Sequence, residues 1–212
     1  MKKVFAFLAA AVLFAGVANA QVSINGGFAT QMKTFTGTAP VFGTYTDRDT
    51  NMNGFFIGVS YNLPITGGLS VAPGIYYQNL SHSTATDVVI GTLHTKSVEN
   101  AIAIPILFNY GVEVSNGVKL FGFLGPNVTY GLTKTFTWWM GDNEPADPSN
   151  DYYGGDDPDY GQLNVFGTIG AGLQYHSLRF ELGYQMGFLD RTKADNTTEK
   201  VNNLFVGVGY AL

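Results

Sequence analysis

The chain is 212 residues long and carries sixteen acidic against eleven basic side chains, a formal charge of −5. That balance excludes the basic footprint of a nucleic-acid-binding protein, and the absence of cysteine excludes disulfides, thiolate metal centres and a lipoprotein anchor. Its 27 glycines, near twice the usual share of ~7%, stand beside sixteen Phe and twelve Tyr, a composition unsuited to a soluble helical protein.

Residues 1–20 read as a signal peptide. Lys2 and Lys3 form a basic start, 4–17 is small or apolar throughout, and Ala18-Asn19-Ala20 supplies the small-x-small pattern cut by a signal peptidase, here before Gln21. The apolar run is short for a membrane helix, and nothing in 21–212 approaches the ~18 consecutive apolar residues one needs. Residues 21–212 are therefore expected to form one exported domain.

From there the chain alternates. A weak pattern covers 22–34. Over 55–63, Phe55, Ile57, Val59, Tyr61 and Leu63 interleave with Phe56, Gly58, Ser60 and Asn62. Over 69–78, Leu69, Val71, Ile75 and Tyr77 oppose Ser70, Ala72, Gly74, Tyr76 and Gln78. Ile102, Ile104, Ile106, Phe108 and Tyr110 carry the next strand; 118–132 follows, its pattern blurred by Phe121 and Phe123. In 163–175, Leu163, Val165, Ile169 and Leu173 face away from Asn164, Thr168, Gly170, Gly172 and Gln174. The clearest is 178–189: Leu178, Phe180, Leu182, Tyr184, Met186 and Phe188 against Arg179, Glu181, Gly183, Gln185 and Gly187. The last, 201–212, sets Leu204, Val206, Val208 and Tyr210 against Asn203, Phe205, Gly207 and Gly209. Successive strand side chains point to opposite faces. Eight such segments of roughly 10–13 residues match the 9–11 of a tilted membrane strand better than the 5–6 of a globular one.

The connections set the topology. Those near 64–68, Asn116-Gly117 and 175–177 are short, and Asn-Gly is a strong hairpin signal. Those near 35–52, 81–97, 133–162 and 190–200 are long. Strict alternation of short and long is the habit of bacterial barrels, with short periplasmic turns and long extracellular loops. The predicted fold is all-β, an eight-stranded antiparallel up-and-down transmembrane barrel with both termini in the periplasm. Tyr61, Tyr110, Tyr130, Tyr175 and Tyr210 are expected at headgroup level.

Particular stretches carry a resemblance. Glu99-Asn100-Ala101-Ile102-Ala103-Ile104-Pro105-Ile106-Leu107, then Lys119-Leu120-Phe121-Gly122-Phe123-Leu124-Gly125-Pro126-Asn127-Val128, and the hairpin 170–184 resemble the outer-membrane β-barrel domain family that includes OmpX-like and PorT-like proteins. The resemblance spans the mature chain and implies the fold; the family's members differ in function. It departs at the end, where Ala211-Leu212 follow Tyr210 in place of a terminal aromatic. Leu212 keeps the alternation, so the resemblance implies a last strand still read by the barrel-assembly machinery.

Few residues offer chemistry. Ser81-His82-Ser83 with Asp87 is the one stretch that imitates the Ser, His and acid of lipid-modifying barrel enzymes, and it reads better as a solvated loop. Asp142, Glu144, Asp147, Asp151, Asp156, Asp157 and Asp159 crowd one loop; the last three are weak candidates for a hard cation such as Ca²⁺. Trp138, Trp139 and Tyr210 are expected as interface anchors. Arg179 and Glu181 share the lumen face with Gln174 and Gln185, and a charge there must be paired, with Glu99 and Lys119 as further partners. Eight strands leave a lumen wide enough only for side chains. The expected protein is a monomeric, non-enzymatic outer-membrane barrel with a plugged polar lumen, a structural or surface-interaction role and no cofactor. Its expected partners are outer-membrane lipids, lipopolysaccharide and the assembly machinery. The alternatives are a PorT-like export or assembly component and a lipid-modifying enzyme.

Overall fold

A computed structural model describes residues 21–39, 43–47, 51–89, 91–147, 150–154, 160–193 and 196–212. The signal segment 1–20 and the cation candidates Asp156, Asp157 and Asp159 lie outside them. The strands are β1 (Gln21–Ala39), β2 (Gly43–Asp47), β3 (Met52–Thr66), β4 (Leu69–Val88), β5 (Gly91–Ser115), β6 (Val118–Met140), β7 (Asn150–Asp151), β8 (Leu163–Tyr175), β9 (Leu178–Gly187) and β10 (Thr197–Ala211). Eight of them pair antiparallel in the order β10-β9-β8-β6-β5-β4-β3-β1, and β10 returns to β1. That last ladder runs from Ser23↔Ala211 to Gly37↔Thr197 and closes the ring. The short β2 pairs antiparallel with the far end of β1, from Phe35↔Asp47 to Ala39↔Gly43, and β7 pairs with β6.

Three tight turns share one end of the ring with Gln21 and Leu212, the first and last described residues. Gly67-Gly68 takes φ of 54° and 86°, Gly117 takes 74°, and His176 takes 52°. Positive φ matches a two-residue turn to the twist of its strands; at His176 the side chain packs edge-on against Tyr175, centroids 4.4 Å apart. The opposite end carries the long connections and is here termed the open end.

Side chains sort as the alternation requires. Phe28 and Val206, paired across the closing ladder, are both 49% exposed, while Ala29, next to Phe28, and Asn203, on the opposite face of β10 from Val206, are buried in the lumen. On β9 the outward apolar set spans ten residue steps, Leu178 to Phe188. At ~3.4 Å per step and a tilt near 40°, that is a belt of about 25 Å, the height of a lipid-facing band.

At the open end the belt stops at an outward polar ladder. Tyr77 OH and Asn79 Nδ2 donate to Asn100 Oδ1 at 2.6 and 2.7 Å, Asn100 Nδ2 donates to Thr133 Oγ1 at 2.7 Å, and Thr30 donates to Asn53 at 2.9 Å. Beyond this border the strands continue. The segments 81–97 and 133–140, expected as loops, are instead strand: β4 and β5 pair as far as Val88↔Gly91, and β5 and β6 as far as Leu93↔Met140. Outside lipid, neither face needs to be apolar. Strand is kept there by Thr84, Thr86, Thr92, Thr95, Thr135 and Thr137, which favour pleated backbone without leaving a period in hydrophobicity. The first and last strands are longer than expected for the same reason, while β9 ends two residues early.

Candidate functional site

The lumen holds three layers. Nearest the tight turns, Arg179 and Glu181 pair along their own strand, Nη2 to Oε1 2.8 Å, and the guanidinium lies 4.1 Å above the Phe121 ring. Across the lumen Asn25 Nδ2 donates to Ser60 Oγ at 3.0 Å and to Tyr76 OH at 3.1 Å.

The middle layer is aromatic. Tyr76, Phe56, Phe205, Phe123 and Phe121 form a chain of rings with successive centroids 6.0, 5.8, 6.2 and 6.2 Å apart. Each contact lies in the offset or edge-on range favourable for ring pairs. Phe121 and Phe123, which blur the sequence alternation, point into the lumen with 6% and 3% exposure. Room for the rings comes from glycine. A Cβ on Gly170 would stand 2.2 Å from Phe123 Cζ, one on Gly172 2.3 Å from Phe121 Cζ, and one on Gly183 2.4 Å from Phe205 Cζ. The glycine and aromatic excesses thus belong to one packing arrangement. A void of about 50 Å³ lies against these rings, and one of about 10 Å³ lies nearer the open end beside Glu99 and Arg191.

Toward the open end lies a buried ionic layer. Arg191 Nη1 meets Glu99 Oε1 at 2.7 Å, with both side chains 4% exposed. Tyr153 OH donates to the same carboxylate oxygen at 2.9 Å and accepts from Arg191 Nη2. Tyr160 OH donates to Glu199 Oε2 at 2.7 Å. Lys134 Nζ stands 3.7 Å from Glu199 Oε1 and 3.5 Å from the centroid of the Tyr160 ring. Glu99 and Lys134 are direct cross-strand partners; Arg191, Tyr153 and Tyr160 come from the connections. Those connections replace a missing wall, because β8 and β9 stop at the polar border while β4, β5 and β6 go on. The carbonyl of Gln162 accepts from Gly131 N at 2.7 Å, and Tyr152 N donates to Lys134 O at 2.8 Å, tying the connection to β6. Gly131 is bare because Tyr153 lies where its Cβ would be, 2.5 Å away.

Burial, and then the carboxylates, push the Tyr153 and Tyr160 hydroxyls far above the usual range. Burial works against the charge of Arg191, but Glu99 and Tyr153 more than offset it and hold the guanidinium protonated. Above this layer a cavity of about 270 Å³ opens between the protruding strands, lined by Lys33, His82, Thr84, Thr95, Ser97 and Lys134 together with Met52, Phe136, Tyr152 and Tyr160.

The sequence pattern of the outer membrane protein beta-barrel domain family matches residues 13–193. The chain belongs to this family. Among solved structures it is similar to Ail, the attachment invasion locus protein of Yersinia pestis, in complex with the heparin analogue sucrose octasulfate (17% identity, 92% of this chain and 100% of that one, TM-score 0.44). It is also similar to neisserial surface protein A (13%, 91% and 99%, 0.47) and to the outer membrane enzyme PagL (12%, 86% and 99%, 0.47). The curated proteins yield no match. Family membership places the chain in the outer membrane.

Within this family barrel, the expected site residues fall out unevenly. Arg179 and Glu181 do meet. Gln185 lies apart, accepting from Asn203 Nδ2 at 2.9 Å, and Gln174 caps the turn by donating to His176 O at 2.9 Å. Glu99, offered as a partner for the Arg179 layer, belongs instead to Arg191. The imitation of a catalytic group comes apart on its strand. His82 points inward, so Ser81, Ser83 and Asp87 point outward, and Asp87 accepts from Thr92 at 2.7 Å. Asp87 is also four residues from Ser83, about 13 Å along a strand. Trp138 and Trp139 stand five and six residues past Thr133 on β6, above the polar border rather than at it, with Trp139 stacked on His94 at 5.1 Å and 10°. Tyr210 is outward and 52% exposed near the tight-turn end. No pattern in the sequence singles out Arg191, Lys134, Glu199, Tyr153 or Tyr160. The one available signal was Glu99 opposing a lysine across a strand pair whose register the sequence leaves open.

Proposed function

We propose that this outer-membrane barrel is a non-enzymatic, non-conducting surface protein whose mouth, built by β4, β5 and β6, faces the outside and meets a partner there. The observation that carries the reading is the continuation of ordered, hydrogen-bonded strand well past the polar border, over a lumen crossed by aromatic rings and a paired ionic layer. A barrel that served only to sit in lipid has no use for such an extension. The tight turns and both termini face the periplasm, following the habit of bacterial barrels. Lipid and lipopolysaccharide cover the apolar belt, Tyr210 holds the lower headgroup level, and the last strand, ending in Leu212, engages the assembly machinery. The barrel acts as a monomer, its closed ring leaving no sheet edge to pair within the lipid.

The chain has no cysteine, so single-cysteine variants test the orientation cleanly. A membrane-impermeant maleimide added to intact cells should label Glu144→Cys and leave Asn116→Cys unmodified; the reverse pattern would overturn the reading. Purified protein in planar bilayers should give no unitary current, and resolved conductance steps would remove the non-conducting claim. Replacing 141–162 with a short Gly-Ser linker should abolish surface attachment while the heat-dependent gel shift of the folded barrel persists. Indifference of attachment to that change argues for an assembly role instead.

A further inference from the structure

The cavity at the mouth has an unusual lining. Two lysines enter it from different strands, Lys33 on β1 and Lys134 on β6, together with His82 and the hydroxyls of Thr84, Thr95 and Ser97. No carboxylate lines it among the described residues. Lys134 is buried, its side chain 4% exposed, yet its ammonium makes no hydrogen bond. Glu199 at 3.7 Å is beyond hydrogen-bond reach, and the Tyr160 ring covers another side. His82 Nε2 is likewise buried without a hydrogen-bond partner. A buried ammonium whose donors are unused is costly. Such groups, converging on one concavity, await an acceptor.

Charge identifies the acceptor. Among the described residues that line the cavity and its floor, Glu99 is matched by Arg191 and Glu199 by Lys134, so Lys33 brings that lining one further positive charge. Oxyanions accept several hydrogen bonds at once, and those from ammonium groups are among the stronger ones. The hydroxyls supply further donors; Thr84 and Thr95 already touch at 2.7 Å, which fixes their side chains toward the same space. The volume lies just below the roughly 300–1,000 Å³ of ordinary small-molecule pockets. A phosphate with a small organic group fits that size, whereas a polymer chain enters only by one residue. The cavity sits inside the ring of strands and above the polar border, away from the headgroups of surrounding lipid.

We propose that this cavity binds a small soluble oxyanion, a free phosphate or the phosphate of a small phosphomonoester, between Lys33 and Lys134, with His82 and the threonines as further donors. This deepens the surface-protein reading by naming what the mouth takes. It rests on that reading only for the side from which the ligand arrives, and binding in detergent does not depend on orientation.

The test is isothermal titration of the folded full-length mature barrel in a non-ionic detergent and phosphate-free buffer at pH 7. The probes are inorganic phosphate, glucose 6-phosphate and calcium chloride. Saturable binding of either phosphate, weakened at least about tenfold by Lys33→Gln and unchanged by Lys96→Gln on the outer face, is the expected result. Tighter binding of glucose 6-phosphate assigns the site to a phosphomonoester, and tighter binding of inorganic phosphate assigns it to the free ion. Lys134→Met disturbs the buried ionic layer, so His82→Gln serves as the second variant and should also weaken binding. Titration with calcium alone, no titration at all, or equal affinity in Lys33→Gln would overturn the proposal.

Discussion

The two halves of the barrel are built on the same strands and solve opposite problems. Below the ladder of Tyr77, Asn79, Asn100 and Thr133, lipid demands an apolar outside, so polarity is confined to the lumen and aromatic rings fill it against glycine. Above the ladder water covers the outer face of the hairpins and the cavity between them, and the floor of the interior is held by Glu99, Arg191, Lys134 and Glu199 with their tyrosines. The lower half is therefore stabilised by shape, and the upper half by paired charge. Shape fails gradually when a side chain is a little too large. Buried charge fails abruptly when one partner is lost.

The largest expected effect follows from that asymmetry. Arg191→Met leaves Glu99 buried and uncompensated, which costs about 3–5 kcal/mol. Both tryptophans, Trp138 and Trp139, lie in the upper half, so their fluorescence reports that region while the heat-dependent gel shift reports the whole ring. In urea, Arg191→Met should separate the two readouts, with the fluorescence transition moving to lower denaturant first. Adding Glu99→Gln should restore part of the loss, making the double variant more stable than the sum of the singles requires. Coincident transitions in Arg191→Met would mean that the halves unfold as one.

Gly170→Leu attacks the other half. Its Cβ would stand 2.2 Å from Phe123 Cζ and 2.5 Å from the backbone carbonyl oxygen of Leu182, so it presses on ring and backbone together, and overpacking of this kind costs about 1–3 kcal/mol or more. Gel shift and fluorescence should now weaken together, because the ring itself is strained. Gly170→Leu with Phe123→Ala should fold better than Gly170→Leu alone. If it does not, the Leu182 carbonyl rather than the Phe123 ring sets the limit at this glycine.

Alkali sharpens the contrast next. Tyr153 and Tyr160 keep their protons in the folded state at pH values where an unfolded tyrosine, with a pKa near 10, has lost its own. Above about pH 10 the unfolded chain binds fewer protons than the folded one, so stability falls as pH rises. Urea midpoints followed by tryptophan fluorescence should drop between about pH 10 and 11, and Tyr153→Phe with Tyr160→Phe should flatten that drop. An unchanged slope in the double variant would show that these hydroxyls do not carry it.

What the sequence discloses divides along the same border. Lipid forces Leu178, Phe180, Leu182, Tyr184, Met186 and Phe188 onto one face, and that constraint writes a period-2 signal. The ring of eight follows from such segments and from the alternation of short and long connections. The paired Arg179 and Glu181 were visible because they sit within one clear strand. Above the border nothing enforces a period, so 81–97 and 133–140 look like loops although they are strand. The ionic layer was hidden for a further reason. Arg191 and Tyr153 reach Glu99 from connections 92 and 54 residues away in the chain, and only the assembled ring brings them to it. Phe121 and Phe123 looked like noise because an aromatic lumen face was unexpected; the glycines at 170, 172 and 183 were its counterpart in the sequence.

The smallest effect belongs to the outer surface of the upper half, and its smallness is informative. Lys96 Nζ meets Glu144 Oε1 at 2.7 Å, a shorter distance than Lys134 to Glu199, yet the two side chains are 36% and 45% exposed. Water screens the attraction and two mobile side chains lose freedom to form it, so the pair contributes about 0–1 kcal/mol. Lys96→Gln should leave the urea midpoint within about 0.5 kcal/mol of the parent, and Glu144→Gln should do the same. A loss approaching that of Arg191→Met would mean that the acidic connection is held on the strands as firmly as the buried layer is. Paired charge would then hold the outside of the mouth as well as its floor.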